Sequence, residues 1–444
     1  MKFLNMAATT ALILAAQVSQ ADTQQAELRQ ELDSLFLQDK IYRIQESDLN
    51  IREDLGESWI DNDKQHELSV IQDALDQLGK LMLGTYVIDD SSVFTTSLDE
   101  EITSGRQEYR ILRDAHPKGH QCVNASFNVN NNAIFPNGSF LGSSANHNAV
   151  IRYSSASNTP QVDSIRDVRG GAIKVSVGDQ NHDFVMLTSE TFPTDNAEQF
   201  TNLVKVARVS NCINIIPDNE DSNDGFLGSI FGPIYDFNQR VLAVAQCIGN
   251  SELSILDLPG IVGAGIRFVD LQNSSEIESV FDKSFFGVAP YAYNDQVFKF
   301  EMSKADCENS NPESLGLNSS EETANRGLES NIQRVLSAGN ACYDLNVISR
   351  PSDLTNKQAI ETHTKTWDDM SYQNLPRTKV ASVVVSQLEE STNIDPVSCD
   401  EMQFNPGNTL DNIKPLGSLN RARALVYESL SDFRKETNAY LRQQ

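Results

Sequence analysis

The sequence predicts an α+β fold: an antiparallel sheet or barrel surrounded by helices. Two observations carry this. Short runs rich in β-branched residues, at Ala172 to Val177, Phe184 to Thr188, Val297 to Met302 and Val380 to Val385, alternate with Asn, Gly and Ser turns, the pattern of strands in an antiparallel assembly. Helical stretches intervene at Ala197 to Val209, Phe237 to Cys247 and Ile332 to Ala338, and a last one closes the chain at Asn420 to Arg442, where Arg, Ala, Leu and Glu favour helix.

From the N-terminus, Lys2 precedes an apolar stretch from Met6 to Ala16, and small residues follow in Val18-Ser19-Gln20-Ala21. This predicts a signal peptide over 1–21. The apolar run is too short to span a bilayer, so the expectation is an exported protein, periplasmic or secreted, without a membrane anchor. A helical region is expected over 22–105. Within it, Gln24 to Leu83 reads as helix, and Leu68, Ile71, Leu75, Leu78 and Met82 share one face. The remaining 106–444 forms the main domain. Pro217 to Gly225 and Ser303 to Gly327, rich in Glu, Asp, Asn and Ser, read as surface loops.

The 62 acidic residues outnumber the 35 Lys and Arg, giving a net charge of -27. That excess argues against nucleic acid and against an anionic membrane surface as partners, while a small neutral substrate is indifferent to it. Cys122, Cys212, Cys247, Cys307, Cys342 and Cys399 form an even set without CxxC spacing. An exported chain permits disulfides, but their pairing stays open, and zinc or iron–sulfur binding is disfavoured.

Chemistry concentrates in the C-terminal helix. Arg423 and Tyr427 lie one turn apart and share a face, and Arg434 follows two turns on. Taken alone, this stripe reads as a solvated arginine face. Its neighbours change that. Cys399-Asp400-Glu401-Met402-Gln403-Phe404-Asn405-Pro406, then Pro415-Leu416-Gly417 and Asn420-Arg421-Ala422-Arg423, follow two earlier blocks. One is Arg113-Asp114-Ala115-His116-Pro117-Lys118-Gly119. The other runs from Ile151-Arg152-Tyr153-Ser154 through Asp163 to Arg166-Asp167-Val168-Arg169-Gly170-Gly171-Ala172-Ile173-Lys174. In this order, over roughly 110–434, the blocks resemble the catalase-like haem protein family.

The resemblance implies a catalase-like antiparallel β-barrel with a C-terminal haem-ligand helix, and haem, an iron protoporphyrin of b type, as cofactor. Tyr427 matches the axial ligand, and Arg423 the arginine beside its phenolate. An arginine and a ferric ion near a phenol both favour its ionised form. Arg113, Arg152 and Arg434 match residues that hold the propionates; a buried dianion needs such charge-assisted partners. His116 matches the distal acid–base group, Ser154 the hydroxyl that orients it, and Phe200 a phenylalanine against the porphyrin face, although core packing accounts for a phenylalanine there equally well. His120, four residues beyond His116, has HxxxH spacing, but Pro117 and Gly119 disfavour the helix a metal pair would need.

Three departures stand out. The family's distal amide falls on Leu187 or Thr188, of which only Thr188 can donate a hydrogen bond. Gly407 stands where relatives have tryptophan, and Asn412-Ile413-Lys414 precedes the Pro-Leu-Gly. The resemblance thus implies a haem hydroperoxidase, a catalase or catalase-related peroxidase, that removes hydrogen peroxide or organic peroxides outside the cytoplasm and assembles as a homo-oligomer. Two alternatives stay open: an enzyme that rearranges fatty-acid hydroperoxides, and a haem-binding protein without turnover.

Overall fold

The computed structural model describes residues 42–84, 111–157, 162–214 (206–214 as backbone), 267, 270–272, 275, 278–310, 316–387, 394 and 396–443. The expected signal peptide, the helix at Phe237 to Cys247 and the loop at Pro217 to Gly225 lie outside these residues.

Ten strands form one antiparallel sheet: β1 (Gly119–Val129), β2 (Ala145–Ser155), β3 (Arg169–Val177), β4 (Gln180–Leu187), β5 (Phe285–Phe286), β6 (Tyr291–Tyr293), β7 (Gln296–Ala305), β8 (Ala341–Ser349), β9 (Arg377–Val385) and β10 (Lys414–Pro415). Eight of them close a barrel, because β5 pairs with β7, β7 with β8, β8 with β9 and β9 with β1, while β6 and β10 extend the β7 edge. Closure removes the unpaired edges that invite aggregation. The predicted strands all fall in the barrel, at β3, β4, β7 and β9.

Alternation along each strand sorts residues between two faces. Tyr153, Phe184, Phe298, Phe300 and Tyr343 fill the interior with other apolar side chains. Arg152 and Ser154, flanking Tyr153, share the outer face of β2.

Eight helices occur among the described residues: α1 (Lys64–Gly84), α2 (Ala197–Asn214), α3 (Ser319–Thr323), α4 (Gly327–Ala338), α5 (Asn356–Glu361), α6 (Trp367–Ser371), α7 (Pro396–Glu401) and α8 (Gly417–Leu441). The long helices α1, α2 and α8 share a second core, with Ile71, Leu75, Leu78 and Met82 of α1 against Ala422, Val426, Leu430 and Phe433 of α8. A buried ion network fixes them further. Arg421 donates from Nε to Glu67 Oε1 at 2.7 Å and from Nη1 to Glu57 Oε1 at 2.5 Å. Gly417, at φ 84°, opens α8 in a left-handed conformation, where a Cβ would meet the Ile360 carbonyl at 2.8 Å.

Two expectations need correction. The predicted helix does not run through 42–63: that stretch holds only 3-10 turns at Glu46–Asp48, Glu53–Leu55 and Ile60–Asn62. Left-handed Gly56, Asp61 and Asn62 interrupt it, and the bends let Glu57 reach Arg421. Ser303 to Gly327 is also more than a loop. It contains the end of β7 and the short helix α3, whose buried Glu321 takes a bidentate pair from Arg334, at 2.7 Å from Nε and 3.0 Å from Nη2.

Two disulfides are present among the described residues. Cys122–Cys399 joins β1 to α7 across 277 residues, and Cys307–Cys342 joins the segment after β7 to β8.

Candidate functional site

A cavity lies between the outer face of β2–β4 and α8. Its walls include His116 and Asp114 from the segment before β1, Arg152 and Ser154 from β2, Met186 from β4, and Tyr427 and Arg434 from α8, with Arg113 and Phe404 at one side. A second, smaller cavity shares Arg113 and Arg434 with it. Sequence segments far apart thus meet here.

His116 sits at φ 57°, in the left-handed region. For a residue other than glycine that costs about 1–3 kcal/mol and concentrates at functional positions. The ring is held by Ser154, whose Oγ lies 3.0 Å from Nδ1, leaving Nε2 to the cavity. Burial, then the charges of Arg152, Arg423 and Arg113, pushes the imidazole down to about 3, so it is neutral at physiological pH. Gly170 makes room for it: a Cβ there would fall 2.6 Å from His116 Nδ1 and 2.7 Å from Ser154 Oγ. This requirement was not drawn from the sequence, where Gly170 appeared only as part of a motif.

The three arginines form a compressed cationic cluster. Arg152 and Arg434 are buried and Arg113 is half-buried. Arg113 Nη2 donates to the carbonyls of Cys399 (3.3 Å), Asp400 (2.8 Å) and Met402. Arg152 Nη2 donates to the His116 carbonyl at 3.1 Å and to Asp400 Oδ1 at 3.3 Å. Even so, Arg113 Nε, Arg152 Nε and Arg434 Nη2 are buried without a hydrogen-bond partner among the described residues. Burial lowers all three guanidinium groups; Arg434 falls to about 10, and repulsion from Arg434 and Arg152 adds to the effect at Arg113. Buried donors without acceptors carry a desolvation cost, so a bound dianion would relieve this cluster.

Tyr427 projects from α8 into the cavity, half-buried. The Arg423 guanidinium lies over its ring, 5.7 Å from the centroid. Arg423 is buried rather than solvated, and Nη1 donates to Asn420 Oδ1 at 3.4 Å.

Thr188 and Phe200 are placed elsewhere. Thr188 lies just past β4 and its Oγ1 accepts from the Arg169 N–H at 2.9 Å. Leu187 packs with Val168 and Val288. Neither lines the cavity. Phe200 packs on the α1–α8 core, with Phe192 6.4 Å away. His116 and His120 also part company. His120 Nε2 lies 3.1 Å from Ser155 Oγ, and Nδ1 lies 3.4 Å from Asp163 Oδ1, inside a buried network with Lys118 and Arg169. Among the described residues, no group of three or more His, Cys, Asp or Glu converges on a metal site, and no helix is long and apolar enough to cross a membrane.

The closed eight-stranded barrel with its helices is a catalase-like fold. The chain matches a fungal catalase at TM-score 0.50 and 13% identity, covering 73% of this chain and 59% of that one. It matches a bacterial catalase at TM-score 0.51 and 12% identity, covering 77% and 63%. The chain therefore spans about three-fifths of the length of these catalases. No family model matches it, and no curated protein matches it by sequence.

Proposed function

We propose that the protein is a haem-dependent hydroperoxidase that acts outside the cytoplasm. The observation that carries this reading is the cluster of Arg113, Arg152 and Arg434, with unpartnered buried nitrogens, around a cavity entered by a tyrosine and a neutral histidine.

The residues suit haem. Its two propionates supply the dianion that the three arginines lack. A metal already held by a macrocycle needs few protein ligands, and tyrosine is an established haem ligand type; Tyr427 would provide one, with the Arg423 guanidinium over its ring. When bound, haem supplies the redox-active iron for cleaving the O–O bond of a hydroperoxide. The chain's own part is proton movement and orientation. His116 Nε2, unprotonated at neutral pH when Nδ1 holds the proton toward Ser154, accepts the proton of the hydroperoxide and returns it to the departing oxygen. Ser154 fixes the ring for both transfers. Export is supported by the N-terminal apolar stretch and by the two disulfides.

Within this reading, one observation favours peroxidase action over dismutation of hydrogen peroxide. No amide from β4 reaches the cavity, since Leu187 is packed away and the Thr188 hydroxyl is engaged by Arg169. Disproportionation handles two peroxides in turn and needs orienting groups twice. Ala172, Val185, Met186 and Phe404 on the walls suit an organic hydroperoxide.

The test is reconstitution of the purified chain with haem, followed by peroxide in the same cuvette. A Soret band that Tyr427→Phe abolishes or shifts is expected, with consumption of organic hydroperoxide and little oxygen release. Vigorous oxygen release would make the protein a working catalase. Conversion of a lipid hydroperoxide to a rearranged product, without a reductant, would favour the rearranging enzyme. Absence of a Soret band would refute the haem reading.

A further inference from the structure

The roles assigned so far leave one ionisable group of the cavity unused. Asp114 lines it two residues before His116. The charged groups around it come from four elements: Arg113 and His116 on its own segment, Arg152 on β2, Asp400 on α7, and Arg434 on α8, which also carries Tyr427. Burial raises its carboxyl above the ordinary range, opposed first by Arg434, then by its own backbone N–H and by Arg113.

A charge count shows how filling the site acts on this group. Three guanidinium groups face two carboxylates, and Asp400 already accepts from Arg152 at 3.3 Å. A dicarboxylate cofactor would engage the same three cations, offset the charge of Arg434 and Arg113 at Asp114, and add negative charge beside it. Both effects favour the neutral carboxyl. A neutral carboxylic acid donates a hydrogen bond, whereas a carboxylate only accepts. Among the residues that line the cavity, β4 contributes Val185 and Met186, neither of which donates from its side chain.

We propose that Asp114 is the hydrogen-bond donor of the filled site, a carboxylic acid that faces the oxygen of a bound hydroperoxide beside His116. This rests on the haem reading above. It assigns two complementary groups to the cavity: a neutral imidazole that accepts a proton and an acid that donates a hydrogen bond. Substrates with a lone-pair oxygen one bond from the reacting oxygen, the hydroperoxides, match that pair.

The test uses the full chain reconstituted with haem as wild type, Asp114→Asn and Asp114→Val, with fluoride as the probe and the absorption spectrum as the readout. Fluoride at a ferric haem is held by a nearby hydrogen-bond donor. Wild-type affinity should fall as pH rises and the acid ionises. Asp114→Asn, whose amide donates without titrating, should bind within about threefold of the wild-type low-pH affinity, independent of pH. Asp114→Val should bind at least about tenfold more weakly throughout, the loss of one charge-independent hydrogen bond. The infrared difference between haem-loaded and haem-free protein should contain a carboxylic-acid carbonyl band that Asp114→Asn removes. Soret bands in all three proteins with the same fluoride affinity and pH dependence would overturn the proposal alone. So would a pH dependence that persists in Asp114→Asn, which would put the proton on His116. Absence of a Soret band in every protein would overturn the haem reading and this proposal with it.

Discussion

Replacing Cys122 and Cys399 with alanine should both destabilise the fold and loosen the cofactor. Cys122 pairs with Arg152 across β1 and β2, and Cys399 begins the short run of carbonyls that hold Arg113. Asp400, the next residue, is the partner of Arg152. One covalent bond therefore ties the strand bearing Arg152's neighbour to the segment that grips both arginines. The bond closes a loop of 277 residues. By chain entropy such a loop contributes about 5–6 kcal/mol, a large share of the roughly 5–15 kcal/mol that keeps a domain folded. Cys307–Cys342 closes only 35 residues, worth about 4 kcal/mol on the same scale, and it lies at the β7–β8 junction away from the cavity. The two double-alanine variants should therefore separate in two assays. Urea unfolding should show the larger loss for the Cys122–Cys399 pair, by about 2 kcal/mol. Haem transfer to a scavenging apoprotein should accelerate for that pair alone. Equal unfolding midpoints, or an unchanged transfer rate, would refute the idea that this bond anchors the arginine cluster.

Gly170→Ala should keep haem but cut hydroperoxide turnover by about 10²–10⁴-fold, the usual weight of a positioned acid–base group, because the new Cβ displaces the His116 ring; turnover near the wild-type rate would show that the ring is not needed where it sits. Arg434→Leu should weaken haem retention by about 1.5–3 kcal/mol, the range for a hydrogen bond to a charged group, measured by haem competition; unaltered retention would remove Arg434 from the binding set. Acid should destabilise the fold through its histidines. His116, His120 and His182 are held down to about 3 by burial, below their ordinary value near 6.5. Between these limits the unfolded chain binds more protons than the folded one, so stability is full above about pH 6.5 and falls with decreasing pH, by about 1.4 kcal/mol per pH unit for each such histidine. Urea midpoints should drop as the pH falls from 7 to 4.5, more steeply toward the acid end, and less in His182→Phe; a flat profile would contradict the buried neutral state.

Local patterns in the sequence reached the fold further than the site. β-branched alternation located strands β3, β4, β7 and β9, and the composition of Asn420 to Arg442 located α8 within three residues at its start and one at its end. Spacing alone left Arg423 and Arg434 as a solvated stripe; their burial comes from α1, α2 and the barrel closing over them, which no local pattern reports. The stretch over 42–63 carries helix-favouring residues, yet left-handed Gly56, Asp61 and Asn62 interrupt it and Glu57 meets Arg421, a partner 364 residues away. Thr188 lies one residue past the end of β4, and a strand's period does not tell where its pairing stops. Asp114 stood inside the very motif used to find His116, yet its position on the cavity wall depends on the left-handed turn at His116, which the sequence does not announce. The pairing of Cys122 with Cys399 is equally silent, because it records a meeting of segments 277 residues apart.

Every strand of the closed barrel precedes α8 along the chain, while Arg423, Tyr427 and Arg434 all sit on that helix. During synthesis the scaffold therefore emerges before the parts that grasp a cofactor. A barrel lacking α8 offers Arg113 and Arg152 but not Tyr427, and its outer face lies open where the cavity will be. On the haem reading proposed above, loading would wait for the arrival of this one helix.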